Sequence, residues 1–253
     1  MKDRIHYDYP YRLRILHSGN ASLRIERKGR WILVDPVERP TTDNIVVLTN
    51  PGADRVKGTW EATKAGVKPT VIASEGILTW LCEAGTIEGS TPPHSLDGVQ
   101  VTATPYSPQR AGSSVGDLLR MGPATAVRQL ASRSRLPTAD PQITCLTFED
   151  QSRMLHLDLS LHRETPESWL EAAVAAYGGA DWVICGVLHG EADAVVRMLP
   201  AFKPKKILLT EMVNMERKRL GMPIELVTPT RDRLLHAGLE THVFAPHASY
   251  RFE

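Results

Sequence analysis

Apolar positions in this 253-residue chain fall into short runs separated by turn residues, and the runs change character along the sequence. Three open the chain, at 13–16, 21–25 and 31–34, with Ser18-Gly19-Asn20 and Lys28-Gly29 between them, so a strand meander is predicted there. The stretch 44–49, Asn-Ile-Val-Val-Leu-Thr, is apolar without alternation, as a strand covered on both faces would be. Beyond it the pattern predicts a helix at 60–65, a strand at 70–73, a helix at 76–84 and a strand at 98–104. A second meander covers 142–148 and 154–158. It is followed by a helix at 167–177, a strand at 181–185, a helix at 192–199, a strand at 206–210, a helix at 231–237 and a strand at 241–244. Two meanders, each followed by strand–helix units, predict an α/β protein of two mixed sheets covered by helices. One domain is expected over residues 1–253. The Ser-, Pro-, Gly- and Arg-rich stretch at 107–141, around a helix at 124–131, reads as an insertion or lid within it.

Composition narrows the classes of function. The chain is 42% hydrophobic and 23% charged, enough to bury a substantial core. Its 30 basic and 29 acidic residues leave a formal charge of +1, so no global field recruits nucleic acid or an anionic membrane. The local excess of Arg110, Arg120, Arg128, Arg133 and Arg135 over Asp117 lacks interleaved aromatics, which favours a solvated surface over a nucleic-acid site. No apolar run approaches the roughly 20 residues needed to span a bilayer, and no signal peptide is expected from the mixed charge and aromatics of the first residues. Cys82, Cys145 and Cys185 are dispersed and odd in number, which suits free thiols in a reducing cytoplasm.

Candidate chemistry lies at the strand ends. The first hairpin carries Gly19-Asn20-Ala21-Ser22 and ends in Asp35-Pro36; the run at 44–49 leads into Asn50-Pro51-Gly52-Ala53-Asp54-Arg55. The strand at 98–104 leads into Pro105-Tyr106, Leu157-Asp158-Leu159 closes another, and Glu211 follows the strand at 206–210. In this order and spacing the chain resembles the small metallo-β-lactamase-fold metal-dependent hydrolases, particularly the sugar-phosphate lactonase-like branch. The resemblance implies an αββα sandwich. It also implies that Asn50 and Gly52 occupy the first two positions of a Thr-His-x-His-x-Asp-His motif, with Asp54 keeping its aspartate and Arg55 at its last histidine. Tyr106 then stands near a further histidine position, Asp158 keeps the bridging carboxylate, Glu211 takes the final histidine position, and Asn20 replaces a histidine of the hairpin.

In that family, imidazoles and carboxylates hold one or two metals that activate water against an ester, lactone or phosphoester. Asn, Gly and Tyr are poor ligands for such an ion, and arginine never deprotonates. The resemblance therefore implies a degenerate member, a pseudoenzyme without the zinc hydrolase activity and without a cofactor. Such a protein would bind a small-molecule ligand or a protein partner through the old cleft, with Asn20, Asp35, Tyr106, His156 and His189 as lining candidates. The alternative is a metal-dependent hydrolase of small esters, lactones or phosphoesters, with Mg²⁺ or Mn²⁺ on a carboxylate set of Asp54, Asp158 and Glu211. Strand alternation also puts His156 and Asp158 on one face, where His162 could join them in a relocated metal site.

Two expectations about charge follow. Asp35, Asp54, Asp158 and Glu211 should gather at one edge of the sandwich. Arg55, standing where an imidazole would reach inward, is expected to neutralise Asp158, with Asp54 or Glu211 as further partners. The competing expectation is that Arg55 runs out to solvent, as most arginines do.

Overall fold

The computed structural model describes residues 13–19, 22–27, 30–106, 136–211, 218 and 223–252. The first meander forms β1 (Leu13–Gly19), β2 (Ser22–Arg27) and β3 (Arg30–Val34), and the chain continues through β4 (Ile45–Leu48), α1 (Ala53–Lys64), β5 (Thr70–Ala73), α2 (Glu75–Cys82) and β6 (Glu88–Ser90). The second begins with β7 (His94–Leu96), β8 (Val99–Pro105), β9 (Gln142–Phe148) and β10 (Arg153–Asp158). It runs on through α3 (Glu167–Tyr177), β11 (Trp182–Gly186), α4 (Ala192–Met198), β12 (Lys206–Thr210), α5 (Val227–His236) and β13 (Thr241–Phe244). A last strand, β14 (Ser249–Phe252), returns to pair with β1.

Neighbouring strands run antiparallel through β1–β2–β3 and β7–β8–β9–β10 and parallel through β3–β4–β5–β6 and β10–β11–β12–β13, the β8–β9 pair being joined across residues 106–141. The result is two seven-stranded sheets, ordered β14-β1-β2-β3-β4-β5-β6 and β13-β12-β11-β10-β9-β8-β7.

Alternation along the strands then builds three apolar layers. Between the sheets, Ile25, Val34, Val47 and Ile72 meet Val101, Phe148, Met154, Ile184 and Leu208. Outside the first sheet, Val46, Leu48, Val71 and Ala73 receive Val56 of α1 with Ile77 and Leu81 of α2. Outside the second, Leu155, Leu157, Val183 and Leu209 receive Tyr177 of α3, Val195 and Met198 of α4, and Leu234 of α5. This is the expected αββα sandwich. None of the described helices is long and apolar enough to cross a membrane.

Most predicted elements are present, with informative departures. The helix expected at 60–65 begins instead at Ala53. Its first two turns hold Asp54, Arg55, Lys57 and Gly58 with Val56 as their main apolar residue, so the periodic signal is weak there. β6, β7 and β14 were not predicted; they are short strands at or beside the sheet edges, and polar residues such as Glu88, Ser90, His94 and Ser95 obscure any alternation. The insertion or lid expected at 107–141, including its helix, falls for residues 107–135 outside the described residues.

One close approach in this frame decides where the site forms. A Cβ at Gly58 would lie 2.6 Å from the Glu38 carbonyl oxygen, 2.8 Å from that of Val37 and 2.9 Å from that of Pro36. Helix α1 is thus pressed onto the loop leaving β3, and Arg55, one turn before Gly58, is carried up to Asp35. Gly58→Ala should therefore destabilise the protein by about 1–3 kcal/mol through overpacking against fixed backbone, outweighing the ~1 kcal/mol that alanine gains over glycine in a helix. Urea unfolding would read the change; an unaltered midpoint would mean that α1 does not rest on this loop.

Candidate functional site

Two aspartates at strand ends form the base of the site. Asp35 directly follows β3 and Asp158 closes β10, and both adopt left-handed backbone, with φ of 46° and 49°. Aspartate tolerates this region better than most residues, yet such a conformation still costs on the order of 1–3 kcal/mol and persists only where the surroundings hold it. Here hydrogen bonds do so. The Thr49 amide donates to Asp35 Oδ1 at 2.7 Å, and the Thr49 hydroxyl donates to Asp35 Oδ2 at 2.6 Å. Asp158 Oδ2 accepts from the Tyr106 hydroxyl at 2.7 Å and from Asn50 Nδ2 at 3.1 Å. The Gly52 amide donates to Asn50 Oδ1 at 2.9 Å, which turns the Asn50 NH₂ group toward Asp158. Tyr106 is anchored by its amide on the Pro141 carbonyl and by an edge-on contact with Trp169, ring centroids 6.3 Å apart.

Arg55 joins these two ends. Its Nη1 donates to Asp35 Oδ2 at 3.1 Å, its Nη2 to Asp158 Oδ1 at 3.0 Å and its Nε to Asp54 Oδ2 at 3.2 Å. The Arg55 side chain is 3% exposed, those of Asp35 and Asp158 are 0% exposed, and that of Asp54 is 46% exposed. Each nitrogen of the guanidinium thus serves a different carboxylate, two of them fully buried. Arg55 does not run out to solvent.

Charge in this cluster is unevenly shared. Burial works against ionised Asp158, but Arg55, the nearby His156 and the hydrogen bonds from Tyr106 and Asn50 outweigh it and hold the carboxyl below its ordinary range. Burial, aided by the Asp158 charge, pushes Asp35 up to about 6 in spite of Arg55 and Thr49. The Thr49 hydroxyl suits both states, since it can donate to ionised Asp35 and accept from the protonated acid. For Arg55, burial is overcome by Asp158, Asp54 and Asp35, which keep the cation firmly protonated. Burial and the adjacent Asp158 raise the Tyr106 phenol well above its usual value, so Tyr106 acts here as a donor.

Of the residues expected in the site, Asn50, Asp54, Arg55, Asp158, Asp35 and Tyr106 meet in this network, and Gly52 orients Asn50. Glu211 does not join it. It follows β12, two strands from β10 in the sheet, and no described residue bonds to it; Asp35 takes the place expected for it beside Arg55. His156 lies buried within β10 with the parity of Met154, toward the space between the sheets, rather than lining the cleft. His189 is an exposed loop residue whose Nδ1 lies 3.2 Å from the Ile224 carbonyl and 3.4 Å from Glu225. Asn20 lies outside the described residues. Thr49 was not anticipated; its one signal was a polar residue ending the apolar run at 44–49.

The donor set is a poor match to a divalent metal. Both oxygens of Asp158 already accept from protein donors, and both oxygens of Asp35 do as well. Among the described residues, no group of three or more His, Cys, Asp or Glu side chains is arranged to hold a metal ion, the relocated set of His156, Asp158 and His162 included.

No protein-family model and no curated protein matches the sequence. Solved structures do match the fold. A metallo hydrolase from the hyperthermophilic archaeon Ignicoccus hospitalis aligns over 95% of this chain and 98% of its own, with a TM-score of 0.65 at 13% identity. The diiron β-hydroxylase CmlA of Streptomyces venezuelae aligns over 96% of this chain and 55% of its own, with a TM-score of 0.62 at 12% identity. An isothiocyanate hydrolase from Delia radicum gut bacteria aligns over 94% of this chain and 99% of its own, with a TM-score of 0.58 at 14% identity. The architecture is the αββα sandwich of the metallo-β-lactamase type, and at these identities the likeness is one of fold.

The two buried aspartates move stability in opposite directions with pH. Asp158, lowered in the fold, contributes stability that is present above the unfolded value of 3.8 and lost as pH falls through its native pKa. Asp35, raised from 3.8 to about 6, stays protonated in the fold while the unfolded chain has already ionised, so its contribution declines as pH rises through that window. The stability of the parent relative to Asp35→Asn should therefore fall by up to about 3 kcal/mol between about pH 4 and about pH 7. Urea titrations of both proteins across that range check this; a constant difference would mean that Asp35 is not raised.

Proposed function

We propose that this chain works by binding a small-molecule or protein partner at the strand-end cleft, without the metal-activated hydrolysis associated with its fold. One observation carries the reading: the carboxylates that end β3 and β10 are bonded to a buried arginine, and each accepts two further hydrogen bonds, from Thr49 or from Asn50 and Tyr106. A metal-bound hydroxide requires ligands with free lone pairs and an open coordination position. The buried Arg55, one of the three donors that Asp158 accepts from, would have to leave before that chemistry could begin. The rim is the part left for recognition, since the Asp54 carboxylate is half exposed and Glu211 is partly accessible at the end of β12.

The second reading is a metal-dependent hydrolase of small esters, lactones or phosphoesters, with Mg²⁺ or Mn²⁺ on Asp54, Asp158 and Glu211. Its support is the fold shared with a metallo hydrolase and an isothiocyanate hydrolase, together with the accessibility of Asp54 and Glu211 as oxygen ligands.

Protein purified without chelator or metal-affinity resin decides between the two. Elemental analysis is expected to find well under one equivalent of any transition metal, with negligible turnover of lactone, ester, phosphodiester and β-lactam substrates, with or without added Zn²⁺ or Mn²⁺. Stoichiometric metal, with turnover abolished by Asp158→Ala, would reverse the assignment.

A further inference from the structure

We propose that the groove between α1, α2 and residues 136–138 is a binding site for an elongated organic cation, of the linear polyamine class. The groove encloses about 730 Å³, within the span of about 300–1,000 Å³ usual for small-molecule sites. None of the described residues lining it belongs to the strand-end network, so the two places can be occupied independently.

Its apolar surface is aromatic and firmly seated. Trp60 of α1 and Trp80 of α2 both line the groove and stand ring on ring, with centroids 4.1 Å apart and planes 30° from parallel. Both indoles, with Leu136, pack against the apolar layer outside the first sheet. The segment after Leu136 is held by a close approach to α2: a Cβ at Gly76 would overlap the Thr138 carbonyl oxygen and lie 3.3 Å from the Ala139 Cβ. Indoles present apolar area to methylene groups and electron-rich faces to a cation, so this surface suits a molecule that carries both.

Charge selects the sign and the length of that molecule. Glu75 opens α2, and Glu83 directly follows the helix, still in right-handed helical backbone. At the helical rise these two are separated by about 12 Å along the axis. Both are exposed, both line the groove, and Thr79 lies midway between them. Neither has a basic partner among the described residues. Glu83 also stands at the negative end of the helix dipole, and the last turn of α2 holds no basic residue to offset it. The chain as a whole carries only +1, so attraction here is local. One inorganic ion cannot touch both carboxylates across such a gap. A methylene chain with an ammonium group at each end can meet both and lay its apolar span along the indoles.

The test titrates the full chain with spermidine by calorimetry at low ionic strength, alongside putrescine and the longer diaminooctane of equal charge. One equivalent of spermidine should bind, more weakly as salt is added. Diaminooctane, long enough to reach both carboxylates, should bind about fivefold tighter than putrescine, and Mg²⁺ at matched ionic strength should not displace spermidine. Glu75→Gln and Glu83→Gln should each weaken spermidine about fivefold with circular dichroism unchanged, and Trp60→Leu should do so to a similar extent. Absent binding, binding indifferent to both glutamates, or equal affinity for the two diamines would overturn the proposal. Binding seen only after Arg133→Ser with Arg135→Ser would assign the groove to the chain's own basic residues, and would overturn it too.

Discussion

A guanidinium held between two buried carboxylates is where the two sheets of this sandwich meet by charge as well as by apolar contact. Asp35 belongs to the end of β3 in one sheet, Asp158 to the end of β10 in the other, and Arg55 bonds to both from the first turn of α1. The energetics of such an arrangement are asymmetric. Bringing the groups out of water is expensive, so the intact cluster contributes little net stability, but loss of one partner typically costs about 3–5 kcal/mol because a buried charge is left behind. Its value is positional. The cluster holds two aspartates in strained backbone, fixes the start of α1, and depends in turn on Gly58 allowing that helix to rest on the loop after β3.

The same saturation governs what chemistry is within reach. Tyr106, with its phenol raised, stays protonated, and Asp158 is already committed to three donors. The Cys185 thiol, pushed up to about 12 by burial and by the Asp158 charge, is far from forming a nucleophilic thiolate. Only Asp54 among the three carboxylates reaches the surface, while Asp35 and Asp158 are bonded within the cluster.

Much of this was legible in the sequence, for reasons that also explain what was not. The strands at 70–73, 142–148, 206–210 and 241–244 coincide with β5, β9, β12 and β13, because dense apolar runs bounded by turn residues leave little choice. The start of α1 was hidden, since its opening turns are polar and the helix is held there by contact with the loop after β3, a constraint with no local signature. Arg55 could be expected to meet Asp158 because the family resemblance puts it where an imidazole reaches inward beside the bridging carboxylate. Its second buried partner could not be read in the same way: Asp35 and Glu211 both follow strands, and only the crossing of α1 over residues 36–38 places Asp35 within reach while Glu211 stays two strands away. Thr49 escaped notice because a threonine ending a strand is ordinary until the carboxylate beside it is known.

Arg55 and Asp158 are 103 residues apart in sequence. Their bond closes a long loop and spans both sheets, so its formation is tied to the docking of the two faces. A contact made that late is largely absent from the rate-limiting ensemble for folding, and its loss is expressed mainly in how fast the native state opens. The cluster therefore acts as a latch on the folded protein. Weakening it should leave the folding arm of a chevron nearly unmoved and raise the unfolding arm, shortening the lifetime of the assembled sandwich more than it slows its formation.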